Sequence, residues 1–220
     1  GEVHLRVLET TDLHGNLLAY DYYTDRPDPA IGMVQVARLI DAARAEAENA
    51  VLFDNGDYLE GTPLADMVAQ GRGLTTGEVH PVIAAMNALG VEAATLGNHE
   101  FNYGLPFLRQ AIAGAAFPVV SANLASALGD TPRDDRTLVP PFALIDRELR
   151  DGAGVRHPIR IGVIGFAPPQ FVTASDGRLQ ERLESRDIVE AAEAWVPALR
   201  AAGADLVIAL AHSGIGATKH

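Results

Sequence analysis

The sequence predicts an α/β fold built on a largely parallel sheet. Apolar runs of strand length alternate with stretches of helical period, as βαβ units require. One pair of runs is joined by a glycine-rich turn and reads as a hairpin, which adds an antiparallel element. Four short polar clusters each follow a strand candidate, the place where open α/β sheets bind their ligands.

The elements follow in order. Residues 3–9 alternate as a strand, and residues 50–53 read as a short buried one. Between them Met33, Val36, Ala37, Ile40 and Ala43 recur at helical spacing. Val82, Ile83, Met86 and Leu89 form the next helical stripe, then a strand candidate at 93–96. A helix is expected to begin near Leu105, and 117–121 reads as a strand. Residues 142–149, the turn at 150–154 and the strand at 159–165 form the hairpin. Ile188, Ala191, Ala192, Trp195, Leu199 and Ala202 mark the last helix, with Pro197 as a kink point, before a strand at 205–211. Segments 20–30, 71–78 and 129–141 are polar or rich in Gly and Pro and read as loops. No repeat or linker interrupts the 220 residues, so they are expected to form one domain.

Composition narrows the function. Hydrophobic residues make up 48% and charged residues 21%, the balance of an ordinary globular protein. The absence of cysteine excludes a disulfide scaffold, a thiolate metal site and a cysteine nucleophile. Seventeen Lys and Arg against 29 Asp and Glu leave a net charge of −12. Such a chain is a poor partner for nucleic-acid backbone or anionic lipid. An anionic ligand would need local positive charge, from a helix N-terminus or a metal. No apolar run approaches the roughly 20 residues of a membrane span, and no signal-peptide pattern opens the chain.

The four clusters are Asp12-Leu13-His14-Gly15-Asn16, Asp54-Asn55-Gly56-Asp57, Gly97-Asn98-His99-Glu100 and His212-Ser213-Gly214. Carboxylate, imidazole and amide oxygen together suit Mn, Fe, Zn or similar divalent ions. Asp12 and His14, two apart on extended backbone, would point to one side. Asp57 could bridge two cations, and two ions about 3.5–4 Å apart would activate a water and clamp a phosphate. Each cluster has a plainer reading alone: Asp-x-His as solvated loop, Asn-Gly as a turn, Asn98 as a helix cap, His212 as a satisfied buried histidine. Together the plain readings leave the shared position and chemistry unexplained. Glu100 stands as a candidate partner behind a ligand or as a first-turn acid. Asn123 is a candidate to reach the site or a strand-end cap. His4, His80 and His157 are expected to be structural or on the surface.

The motifs Asp12-x-His14, Gly56-Asp57, Gly97-Asn98-His99-Glu100 and the later His212 resemble those of the calcineurin-like metallophosphoesterases, in their 5′-nucleotidase branch. Thr10 to Asn16, residues 20–23 and residues 97–105 are most similar to bacterial members acting on 2′,3′-cyclic nucleotides and 3′-nucleotides. The resemblance covers essentially the whole chain. It implies a four-layer α/β/β/α sandwich of two mixed sheets. It implies two divalent ions, the first on Asp12 and His14, the second on Asn98 and His212, with Asp57 bridging. It implies Asn98 and His99 as the catalytic pair, His99 standing by the phosphate to stabilise or protonate the leaving oxygen while a bridging hydroxide attacks in line. The implied activity opens cyclic nucleotides to 3′-nucleotides and these to nucleosides. The implied partner is a small nucleotide, with no nucleic-acid polymer, membrane or protein partner, and the implied location is periplasmic or extracellular. A 5′-nucleotidase or broad phosphomonoesterase, and a non-catalytic metal-binding fragment, are the alternatives.

Two departures stand out. Many 5′-nucleotidases have Asp three residues after the catalytic histidine, where this chain has Asn102. A neutral amide supports an imidazolium less than a carboxylate does, which favours the cyclic-phosphodiesterase branch. The family's Gly-His-x-His motif and nucleoside-binding domain do not follow His212. Residues 1–220 are therefore expected to be a catalytic domain truncated at its C-terminal end, with His220 no substitute ligand.

Overall fold

The structure, a computed structural model, describes residues 2–170 and 183–214. Three parallel strands form the first sheet: β1 (Arg6–Thr10), β4 (Ala50–Asp54) and β5 (Ala93–Ala94), in the order β1-β4-β5. The second sheet is mixed. Its central strand β9 (Arg156–Phe166) pairs antiparallel with β8 (Phe142–Arg150) and parallel with β11 (Leu206–Ala211). The β8–β9 register runs from Phe142↔Ile164 to Arg150↔Arg156, so the hairpin forms as the turn residues predict.

Side-chain parity then builds the layers, because alternate residues of a strand face opposite sides. Val51 and Phe53 of β4 meet Ile161 and Val163 of β9 between the two sheets. Leu52 faces the other way, against Ile40 of α1 (Met33–Ala45), Ile83 and Met86 of α3 (Pro81–Leu89), and Leu108 of α4 (Leu105–Ile112). Ile164 and Phe166 face Ala191 and Leu199 of α5 (Ile188–Ala201). The order helix, sheet, sheet, helix is the expected four-layer sandwich, except that among the described residues the first sheet is wholly parallel rather than mixed.

Several details differ from expectation. Residues 117–121 make one bridge, Ala94↔Val119, rather than a strand. Pro118 lacks the amide that a ladder needs, but Val120 and Ala122 still donate to Ala94 and Gly165, 2.9 and 2.7 Å away, and so tie the two sheets together. Residues 20–30 hold a small hairpin, β2 (Tyr20–Asp21) with β3 (Arg26–Pro27). Strands β6 (Leu124–Ala127), β7 (Arg136–Thr137) and β10 (Glu184–Ser185) form a further small antiparallel sheet. A short helix, α2 (Pro63–Asp66), passes into a wider turn over Met67–Gly71. Thr62 caps it by accepting the Ala65 amide, with Pro63 in the first turn where its missing donor does no harm. Helix α5 contains Pro197 and runs through it.

Arg186, just before α5, grips the buried Asp135 through two contacts, Nε–Oδ2 at 2.8 Å and Nη2–Oδ1 at 2.9 Å. Removing the arginine would strand a carboxylate that is 1% exposed. Arg186→Ala is expected to lower the midpoint of urea unfolding, and an apolar replacement of both partners to lower it much less.

Candidate metal centre

The loops beyond β1 and β4 continue side by side after their strands end. The amides of Asp12, His14 and Gly15 donate to the carbonyls of Gly56, Asp57 and Tyr58 at 2.9, 2.9 and 3.0 Å. Asp12, His14 and Asp57 all adopt left-handed backbone, with φ of 52°, 48° and 61°. Such conformations are strained for residues bearing a side chain and persist only where the surroundings impose them.

At Asp57 the constraint is Glu100. It is fully buried, and its carboxylate accepts the amides of Asp57 (2.7 Å), Tyr58 (2.7 Å), Leu59 (3.1 Å) and Gly97 (2.7 Å). Burial pushes its carboxyl above the usual range and the Asp57 charge adds to this, while the amides pull it back. Two glycines make the approach possible. Gly56 has φ +96°, and a Cβ there would lie 2.5 Å from the Gly97 nitrogen. A Cβ on Gly97 would overlap the Asp57 carboxylate.

On this frame Asp57 sits at the centre. Its Oδ1 accepts the His99 amide at 2.8 Å, and its Oδ2 lies 3.1 Å from His212 Nε2 and 3.9 Å from His14 Nε2. Asp12 Oδ1 is 3.6 Å from the same nitrogen of His14, and its Oδ2 accepts the Thr11 hydroxyl at 2.5 Å. One ligand atom each from Asp12, Asp57 and His212 falls within a 4.8 Å group. Both histidines are turned the same way. His14 Nδ1 donates to the Glu60 carbonyl at 2.8 Å, and His212 Nδ1 to the Asn55 carbonyl at 2.7 Å. Since a carbonyl only accepts, each Nε2 is the nitrogen available to a metal. Two carboxylates and two imidazoles with their lone pairs gathered together fit a divalent cation. Asn98 lines the same open cleft, about 400 Å³, with Asp12, Asn55 and His212.

Charge follows geometry. Burial pushes the Asp57 carboxyl up, but hydrogen bonds from His212 and the His99 amide outweigh it and hold the group below its usual value. The hydrogen bond to Asp57 raises His212 to about 9 against the opposing effect of burial. Asp54, beneath the loop, is raised to about 7 by burial, although the Thr10 hydroxyl (2.6 Å) and the Gly56 amide (3.0 Å) both donate to it.

The other expected residues divide. His99 lies beside the cluster, its ring centroid 5.2 Å from that of His14. Asn102 places its amide 2.9 Å from His99 Nδ1. Asn102 is not its sole neighbour: Glu60 Oε2 lies 3.0 Å from the same nitrogen and supplies a carboxylate there. Asn98 stands at the start of the short turn His99–Phe101 with no side-chain capping bond, and it does not cap α4, which begins after Gly104. Asn123 is not brought to the cluster. Its amide is spent on both backbone groups of Ala167, at 2.8 and 2.9 Å, where it braces buried chain. His80 is buried at the start of α3, accepting the Val82 amide, and His157 pairs with Asp151 at 3.0 Å. His4 is exposed beside Glu2, and His220 lies outside the described residues. Sequence reasoning missed Glu60, Asn55 and Thr11. The contacts of Glu60 and Asn55 run between loops, so no local spacing announces them, whereas Thr11 donates to its neighbour Asp12.

A ligand role for His212 requires Nε2 without a proton, yet its raised value keeps the proton near neutrality. Loading with Mn²⁺ near pH 7 is expected to release about one proton per chain, with affinity weakening as pH falls below 9. In the ion-free protein the same shift contributes stability that is complete below about 6.5 and lost as pH rises through about 9. Calorimetry in two buffers of different ionisation enthalpy reads the release; loading without it would remove His212 from the donor set.

Comparison with known proteins places this geometry. The calcineurin-like phosphoesterase family profile matches residues 5–219. The chain is 46% identical over 218 residues to the 2′,3′-cyclic-nucleotide 2′-phosphodiesterase/3′-nucleotidase of Yersinia enterocolitica, covering 99% of this chain and 32% of that protein. It is 42% identical to the trifunctional nucleotide phosphoesterase YfkN of Bacillus subtilis, over 97% of this chain and 14% of that one. The crystal structure of the calcineurin-like phosphoesterase YfkN from Bacillus subtilis superposes with a TM-score of 0.92 at 40% identity, over 98% of this chain and 64% of that chain. The chain thus spans about a third of the Yersinia relative's length. With the family's sandwich and its motif residues gathered at one end of the two sheets, the chain belongs to the calcineurin-like phosphoesterase family.

Proposed function

We propose that this domain hydrolyses phosphate esters of nucleotides, opening 2′,3′-cyclic nucleotides to 3′-nucleotides and converting these to nucleosides. The meeting of Asp12, His14, Asp57 and His212 beside Asn98 and His99 carries this reading. The likeness to the Yersinia protein, named for that pair of activities, supports it.

Asp12 and His14 would hold one divalent ion and Asn98 and His212 another, with Asp57 between them. Such ions neutralise phosphate charge and activate water, and Mn, Fe and Zn all suit these donors. The rest falls to the chain. In a protein of net charge −12, the site must gather positive charge locally to hold an anion. Phosphoryl transfer depends chiefly on positioning and charge neutralisation. His99, beside the cluster but turned away from it at Nδ1, is the group that steadies or protonates the departing oxygen. The substrate is a small nucleotide. A periplasmic or extracellular location belongs to the proposal through the family resemblance. No helix among the described residues is long and apolar enough to cross a membrane.

A second reading, a 5′-nucleotidase or broader phosphomonoesterase, gains from Glu60, which puts a carboxylate next to His99 despite Asn102. The chain is also 30% identical to a snake venom 5′-nucleotidase of Gloydius brevicauda.

Turnover of 2′,3′-cyclic AMP beside 5′-AMP in excess Mn²⁺ separates the two. Faster hydrolysis of the cyclic ester is expected; faster hydrolysis of 5′-AMP would establish the second reading. Asp57→Ala is expected to abolish activity and to reduce bound Mn²⁺. His99→Ala is expected to lower kcat by about 10²–10⁴-fold with metal content nearly intact. Equal metal loss in both variants would show that His99 belongs to the metal centre instead.

A further inference from the structure

We propose that Glu60 is a positioning residue that holds the His99 ring in place beside the metal centre, an inference that rests on the reading of His99 given above. One residue serves both histidines. The Glu60 carbonyl accepts His14 Nδ1 at 2.8 Å, while its carboxylate Oε2 lies 3.0 Å from His99 Nδ1. The two rings meet edge to face with centroids 5.2 Å apart, so Glu60 sets their mutual angle from both ends.

The backbone of this residue has little freedom. The Leu59 amide before it is held by Glu100 at 3.1 Å. Gly61 after it has φ +130°, and a Cβ there would lie 2.8 Å from the His14 Cβ. Only glycine lets the chain pass so close to His14, which brings the Glu60 side chain up against His99.

A carboxylate only accepts, so Nδ1 facing it carries the ring proton. Nε2, on the far edge of the ring, has no hydrogen bond among the described residues and is the nitrogen left for substrate. Asn102 approaches the same nitrogen. Residues three apart eclipse in the tight turn His99–Phe101, which brings the amide within 2.9 Å of Nδ1. The atom facing Nδ1 is Asn102 Nδ2, a donor, so the amide shares this proton only when flipped to present its oxygen. Asn102 is exposed, however, whereas the Glu60 side chain is only 25% exposed. A contact of this kind contributes little to folding stability. Its value is geometric, since small displacements of a reacting group cost turnover steeply.

Glu60→Ala and Glu60→Gln test this in the Mn²⁺-supplemented protein. In Glu60→Ala the backbone carbonyl on His14 survives, so bound Mn²⁺ is expected to stay unchanged. For 3′-AMP, kcat is expected to fall roughly 10–100-fold with KM within about twofold. The loss should be much smaller for p-nitrophenyl phosphate, whose leaving group needs little help, and Glu60→Gln should recover most of the rate. Side-chain nitrogen NMR on protein loaded with diamagnetic Zn²⁺ in place of Mn²⁺ gives a readout free of turnover: His99 Nδ1 is expected to be the protonated nitrogen in the unsubstituted protein, and Glu60→Ala to mix the two tautomers. Unchanged kcat, equal loss on both esters, or His99 ring signals that ignore Glu60→Ala would each overturn the proposal. If those signals move while the unsubstituted protein hydrolyses no nucleotide ester, the positioning stands and the functional reading falls.

Discussion

The four backbone amides that converge on the buried Glu100 carboxylate hold the site in its shape. They come from Asp57, Tyr58 and Leu59 of one loop and Gly97 of another. An unpaired carboxylate at this depth would cost several kcal/mol. Charge-assisted bonds from four fixed donors offset that cost only when both loops take the observed course. The arrangement therefore stabilises left-handed backbone at Asp57 that it would otherwise be unfavourable to adopt. The Asp57 carboxylate is in turn aimed at His212 and His14.

The second dependence is between the sheets. Asp12 and Asp57 stand at the ends of β1 and β4, but His212 arrives at the end of β11 in the other sheet. Its position requires the sheets to be locked together at that end. Apolar contact between Phe53, Val120, Val163 and Leu210 does this along the interior. At the rim, Asn55 donates to the Ala211 carbonyl at 3.2 Å and its own carbonyl accepts His212. The candidate metal centre is thus a junction between layers, and errors of packing in either sheet would reach it.

Electrostatically the centre gathers acids and histidines that would repel or titrate away if left in water. The ion-free site balances Asp57 against His212, which takes the place of a cation. A divalent ion bound there would compete for the same lone pairs, which would make metal binding and proton loss a single equilibrium. This gives the site a definite response to pH without any dedicated switch.

Much of this was legible in the chain. The helical stripes through Ile40, Met86 and Leu199 and the hairpin ending at residue 166 follow from periodicity and turn chemistry, which act over a few residues. The candidate ligands Asp12, His14, Asp57 and His212 were visible because each cluster follows a strand, and parallel strands bring their ends to one side. The segment 117–121 was overread because Pro118 breaks a ladder that its apolar neighbours suggest. Asn123 looked like a site residue only because it follows that segment. Glu60 could not be distinguished from a solvated loop acid, nor could the depth of Glu100 be seen. Local order and ligand chemistry are written in short-range pattern, so the sequence alone determined them. Which loop faces which, and so which carboxylate supports which histidine, depends on how two separately built sheets pack. Only the tertiary structure decided that.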